Sequence, residues 1–148
     1  MAHEIWDNLK YSADALEIKF HVDIPDSLVI ETDPNRLKIV LSNLISNSVR
    51  YHDSSKEEKF IRLNHQKNGN VFYLKVEDNG QGISPEYQAK IFDMFFRANE
   101  HSSGSGLGLY IVKETIANLS GSIHLDSAPL VGSTFTVRLP ASNLAVEV

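Results

Sequence analysis

Residues 71–83, Val-Phe-Tyr-Leu-Lys-Val-Glu-Asp-Asn-Gly-Gln-Gly-Ile, decide how the chain is read. Phe72, Leu74, Val76 and Asp78 fall on alternate positions, so a strand is predicted whose apolar face ends in a carboxylate. That face must pack against other elements, and a carboxylate there costs several kcal/mol unless something donates to it. The glycines that follow permit positive φ and close approach of a flat ligand. A plain Asp-Asn-Gly turn would look the same in one dimension. The phase of Asp78 favours a site.

Working outward, 60–66 forms a second strand, joined to the first by the Lys67-Asn68-Gly69-Asn70 turn. Upstream, Asp33-Pro34 reads as N-cap and first helical residue of a helix running to about Tyr51. Leu37, Leu41, Leu44 and Ser48 form its buried stripe, widened by Val40, Ile45 and Val49. Residues 18–24 alternate as a strand, and 28–31 are a short extended piece. Residues 3–16, with Ile5, Trp6, Leu9, Ala13 and Leu16 at helical spacing, open the chain as one amphipathic helix. Downstream come a short helix near 85–92 and a longer one over 107–119, stopped at Ser120-Gly121. Strands at 122–126 and 133–139 close the pattern. The expected architecture is α+β, with one mixed sheet covered on one face by helices.

Bulk properties narrow the function. The 148 residues suffice for one domain, and 42% hydrophobic with 22% charged residues is globular composition. A net charge of −5 argues against a nucleic-acid binder, which needs a basic surface. With no cysteine there is no disulfide scaffold, thiolate metal site or cysteine nucleophile. No apolar run approaches the roughly 20 residues of a membrane helix, and the start has no signal-peptide pattern. A soluble, cytoplasmic domain is expected.

Three constellations carry chemistry. Asn43, Asn47 and Arg50 share one helix face; amide oxygens suit Mg²⁺ and a guanidinium suits phosphate, although a solvated polar face has the same spacing. Asp78 is a ready acceptor for an adenine amino group. Gly104-Ser105-Gly106-Leu107-Gly108-Leu109 precedes a helix, so its backbone N–H groups can form an anion nest. No Gly-Lys-Ser/Thr follows, which separates it from a Walker loop. The polar stretch before it, Arg97–Ser103, is expected to act as a lid, with residues 97–105 mobile without nucleotide.

Together and in this order, these motifs resemble the catalytic and ATP-binding domain of sensor histidine kinases in the GHKL superfamily. Asn43-Leu-Ile-Ser-Asn47-Ser-Val-Arg50-Tyr51 is similar to the N box, and Asp78-Asn-Gly80-Gln-Gly82-Ile83 to the first glycine box. Ile91-Phe92-Asp-Met-Phe95-Phe96-Arg97 resembles the phenylalanine box. Gly104 to Leu109 resembles the second glycine box, and Gly132-Ser133-Thr134-Phe135 the last motif. The resemblance spans about residues 17–140.

It implies a Bergerat-type two-layer α/β sandwich, with a mainly antiparallel sheet of about five strands under about three helices. It further implies ATP and Mg²⁺ as ligands. Asp78 would bind the adenine amino group, Gly80, Gly82 and Ile83 would border the base, and Tyr51 would pack near it. Asn47 would be the main Mg²⁺ ligand, with Asn43 beside it. Arg50 and Arg97 would contact phosphate, surrounded by Gly104, Gly106, Leu107, Gly108 and Leu109. Phe92 and Phe95 would anchor the lid, and the Ser133 hydroxyl would support Asp78.

In ATP-hydrolysing relatives a Glu resembling a general base stands at the position of Asn43, and an amide cannot take up a proton at neutral pH. A kinase is therefore expected rather than an ATPase. His3, His21, His52, His65, His101 and His124 all lack the family's acceptor context. The acceptor is expected on a separate helical dimerisation domain, with residues 1–16 as the lead-in from it and a response-regulator receiver domain downstream. The domain alone is expected to be monomeric and unable to autophosphorylate. A nucleotide-binding switch without kinase activity and a serine-directed anti-sigma-factor kinase are the alternatives.

Overall fold

A computed structural model of the protein describes residues 1–15, 17–98, 104–140 and 145–148. Elements follow the order α1 (Ala2–Leu9), β1 (Ile18–Asp23), β2 (Val29–Glu31), α2 (Pro34–Arg50), β3 (Lys59–Asn68) and β4 (Val71–Asp78). Then come α3 (Pro85–Gln88), α4 (Gly108–Asn118), β5 (Ser122–Ala128), β6 (Gly132–Pro140) and β7 (Ala145–Glu147). The main sheet has five strands in the order β1-β3-β4-β6-β5. Only β1 and β3 run parallel. This is the mixed, mainly antiparallel α+β arrangement expected.

One face of the sheet builds the core. Ile61, Leu63, Leu74, Val76, Phe135, Val137 and Leu139 are fully or almost fully buried, and their neighbours along each strand are not. The long helix α2 lies over this face through Leu37, Val40, Leu41, Leu44 and Ile45, all at 0% exposure. Asp33 caps it as read from the sequence, its Oδ1 accepting from the N–H groups of Asn35 (2.9 Å) and Arg36 (3.1 Å). Helix α4 packs beside α2 and contributes Val112 and Ile116. The opposite sheet face is polar, with Arg62 bridging Asp23 and Glu77 across three strands.

Several local expectations are corrected. The helix expected over 3–16 ends at Leu9, and a 3-10 turn at Ala13–Ala15 follows. Trp6 stacks on Phe20 of β1 at 4.8 Å, so the chain has to double back from α1 to enter β1. Leu16, placed on that helix by its spacing, lies outside the described residues. The short helix expected near 85–92 is the four-residue α3, which ends at Gln88 and gives way to turns. The strand β7 had no sequence signal; it pairs antiparallel with β2 through Val29↔Glu147, Ile30↔Val146 and Glu31↔Ala145. At the end of α4 the left-handed residue is Ser120 (φ 56°), not Gly121. Gly121 is required for a different reason: a Cβ there would collide with the Arg138 carbonyl of β6.

Candidate functional site

The end of β4 sets the site. Its inner-face sequence Phe72, Leu74, Val76 continues to Asp78, which pairs in register with Ser133 of β6. The Asp78 carboxylate accepts three hydrogen bonds. Oδ2 receives the Ser48 hydroxyl of α2 at 2.8 Å, and Oδ1 receives the N–H groups of Gly80 (2.9 Å) and Ser133 (3.3 Å). Burial pushes this carboxyl above the usual carboxylate range, and the three donors oppose that rise. The Ser133 hydroxyl itself pairs with the Ser127 hydroxyl at 2.8 Å. The hydroxyl support expected from Ser133 is therefore supplied by Ser48, a residue on the expected buried stripe of α2.

A cavity of about 460 Å³ opens between α2, the end of β4 and the start of α4. That is ample for a mononucleotide-sized ligand. Asn43, Asn47, Arg50 and Tyr51 line it from α2 and its C-cap. Asp78, Gly82, Ile83 and Ser133 line the sheet side. Arg97, Gly104, Gly106, Leu107, Gly108 and Leu109 line the side towards α4. Three expected residues are not on its wall. Gly80 works from behind, through its N–H to Asp78. Phe92 turns into the core, its ring edge-on to that of buried Phe135 at 6.3 Å. Phe95 is 64% exposed, because its backbone is left-handed (φ 63°) and swings the ring outward.

The next residue, Phe96, takes the inward place and packs on Tyr87 at 6.0 Å. Together with Ile91 and Ile111 these rings make an apolar wall missed in the sequence. Tyr87 and Ile91 at i, i+4 were the available signal; nothing in the sequence marks a Phe for positive φ. The Phe95 N–H donates to the Gly106 carbonyl at 3.0 Å, tying the phenylalanine box to the glycine loop. The lid expected over 97–103 falls largely on residues 99–103, as does His101, and these lie outside the described residues.

The polar end is arranged by α2. The Asn43 amide donates to its own helix at the Ile39 carbonyl (2.8 Å), leaving Oδ1 directed at the start of α4, 3.2 Å from where a Cβ of Gly108 would sit. The Arg50 guanidinium lies against Gly104, with Nη1 2.9 Å from the position of a Cβ. Gly82 has φ +69°, and a Cβ would collide with the Ala128 carbonyl, so only glycine allows the 79–83 loop to sit down on the β5–β6 turn. Among the described residues, no cluster of three or more His, Asp or Glu side chains could hold a metal. The amide oxygens of Asn43 and Asn47 are hard ligands fit for Mg²⁺ only if an anionic ligand completes its shell.

Residues 32–143 match the sequence profile of the family described as histidine kinase-, DNA gyrase B-, and HSP90-like ATPase. The chain belongs to this family. The sensor-like histidine kinase SenX3 of Mycobacterium tuberculosis is 39% identical over 136 residues, covering 89% of this chain and 32% of SenX3. The sensor protein EvgS of Escherichia coli is 36% identical over 119 residues, covering 78% of this chain and 10% of EvgS. The solved catalytic domain of the histidine kinase ThkA superposes with a TM-score of 0.76 at 26% identity, over 96% of this chain and 91% of that one. The chain is thus a histidine-kinase-type ATPase domain of the GHKL superfamily, spanning about a third of the SenX3 proteins it matches. No helix among the described residues is long and apolar enough to cross a membrane.

Proposed function

We propose that this domain binds ATP with Mg²⁺ and donates the γ-phosphoryl group to a histidine on a separate helical dimerisation domain, from which a receiver domain takes it. The observation that carries the reading is Asp78, a half-buried carboxylate held by two backbone N–H groups and one hydroxyl at the mouth of a nucleotide-sized cavity. Three donors fix it, and its remaining acceptor capacity suits an adenine amino group.

Each part of the cavity has a matching part of the nucleotide. Gly82 and Ile83 border the base, with Tyr51 nearby and the Tyr87–Phe96 wall as its apolar surroundings. Arg50, Arg97 and the N–H groups of Gly104 to Gly108 neutralise and orient the phosphates at the start of α4. Asn47, with Asn43 beside it, would hold Mg²⁺ jointly with phosphate oxygens; when bound, the ion spreads the negative charge of the polyphosphate.

In the transfer a ring nitrogen of the acceptor attacks the γ-phosphorus, the bond to the β-phosphate oxygen breaks, ADP leaves with that charge, and the ring proton passes to solvent. This asks the domain for alignment and charge neutralisation. Asn43 favours this route over hydrolysis, because its side chain is an amide anchored to Ile39 and cannot remove a proton from water. The domain alone does not autophosphorylate on this reading.

Calorimetric titration with ADP and a non-hydrolysable ATP analogue, with and without Mg²⁺, tests the site. Saturable, metal-sensitive binding is expected, followed by phosphohistidine when the acceptor domain and ATP are added. Binding without transfer would leave a nucleotide switch. Acid-stable phosphoserine on an added protein would make the domain a serine kinase. No binding by the folded domain would overturn the reading.

A further inference from the structure

The polar connection 52–58 between α2 and β3 received no role from the sequence. Its conformation is set by Asp53, whose Oδ1 accepts from the Ser55 N–H (3.0 Å) and hydroxyl (2.6 Å), while the Lys56 N–H donates to the Asp53 carbonyl at 3.2 Å. This turn sends the Lys56 side chain across to the adenine-side loop. Its ammonium donates to the main-chain carbonyls of Asn79 (2.6 Å) and Val131 (3.1 Å), with Gly80 at 3.5 Å. A lysine in an ordinary surface ion pair gains little, whereas one shared among converging carbonyls fixes the segments that carry them.

Those segments are the loop directly after Asp78 and the turn between β5 and β6. The Leu130 N–H also joins them, donating to the Gln81 carbonyl at 2.7 Å, and the Ile83 N–H ties the same loop to the end of β5 through the Ser127 hydroxyl at 2.8 Å. The joined turn is not one that relaxed backbone would choose. Leu130 is left-handed (φ 63°) and 74% exposed, so it contributes strain and little burial. Lys56 is the charged member of the fastening.

We infer that Lys56 is a positioning residue for the nucleotide: its ammonium clamps the 79–80 loop to the β5–β6 turn and so holds the Asp78 carboxylate where the base must meet it. The inference rests on the nucleotide reading of the cavity. It has an electrostatic side as well. Asp78 is faced by the Ser48 hydroxyl from α2, by the Gly80 N–H from its own loop and by the Ser133 N–H from β6; Lys56 is the nearby cation. Burial raises the carboxyl, and the Lys56 charge opposes it. A neutral side chain at 56 lets the carboxyl rise further, so binding fails at a higher pH as acid is added.

The experiment titrates ADP into the wild-type domain, Lys56→Met and Lys56→Arg from neutral pH downward until binding is lost in each, with thermal unfolding of each at the same pH as the control for folding. Lys56→Met is expected to bind ADP about tenfold more weakly at neutral pH, with its acid limb displaced upward. Lys56→Arg is expected to recover most of the affinity and the original limb, since it keeps charge and donors. Wild-type-like affinity and limb in a folded Lys56→Met overturn the proposal. So does weaker binding with an unmoved limb and no recovery in Lys56→Arg, which marks a loss of packing alone. A folded wild-type domain that does not bind ADP overturns the nucleotide reading instead, and the proposal falls with it.

Discussion

β4 and β6 pair side by side from Val71↔Pro140 to Asp78↔Ser133, and their two ends follow different rules. At one end the inner-face pairs are Phe72↔Leu139, Leu74↔Val137 and Val76↔Phe135, all buried. At the other the same face presents Asp78↔Ser133, flanked by Ser127 on β5. The backbone ladder does not change between them; only the side chains do. The apolar end supplies stability, and the polar end gives some of it up to hold a carboxylate at the cavity wall.

The comparison can be broken most severely from the apolar end. Leu74→Ala removes a side chain at 0% exposure and should cost about 2–5 kcal/mol of folding free energy, read from chemical denaturation. Any effect on nucleotide binding should follow only from the unfolded fraction.

Asp78→Asn tests the other end. ADP affinity should drop on the order of a hundredfold, because an adenine amino group loses its charged acceptor. The free domain should not be weakened in parallel. The Asp78 carboxyl lies above its ordinary value chiefly through burial, so its contribution to stability is full in acid and is lost as pH rises through that raised value. At neutral pH the amide should leave the thermal midpoint unchanged or higher. A parallel fall in midpoint and affinity would make Asp78 structural.

Asn47→Ala should weaken nucleotide binding roughly tenfold with Mg²⁺ present and much less in chelator, as judged by paired titrations. Equal loss in both conditions would remove the ligand role. Ser48→Ala, the mildest change, should cost about 1 kcal/mol of binding by removing one of the three donors to Asp78. An unaltered affinity there would place the burden on the two backbone N–H groups.

Strong local chemistry made the frame legible in one dimension. Asp33-Pro34 announces α2, alternation announces β3, β4, β5 and β6, and the phase of Asp78 along its strand turns it inward. What escaped depended on contacts distant in sequence. The outward turn of Phe95 and the inward one of Phe96 follow from a left-handed backbone locked to Gly106. Lys56 looks like any solvated lysine until Val131 arrives beside it. Ser48 passed as stripe filler because its partner lies 30 residues away. β7 exists only as the partner of β2, and its three residues carry no alternation long enough to read.

The bond from the Ser133 N–H to Asp78 also has a consequence for the order of events during synthesis. Asp78 and Ser133 are separated by 55 positions, with α3, α4 and β5 between them. Closing so long a loop is entropically slow and is rewarded only when β6 docks. A chain leaving the ribosome has therefore already made α2, Asp78 and the glycine loop before the strand that adds Ser133 to the cavity wall is in place. A nucleotide bound in the cavity would then be a late stabiliser, favouring domains whose last strand of the main sheet is in place.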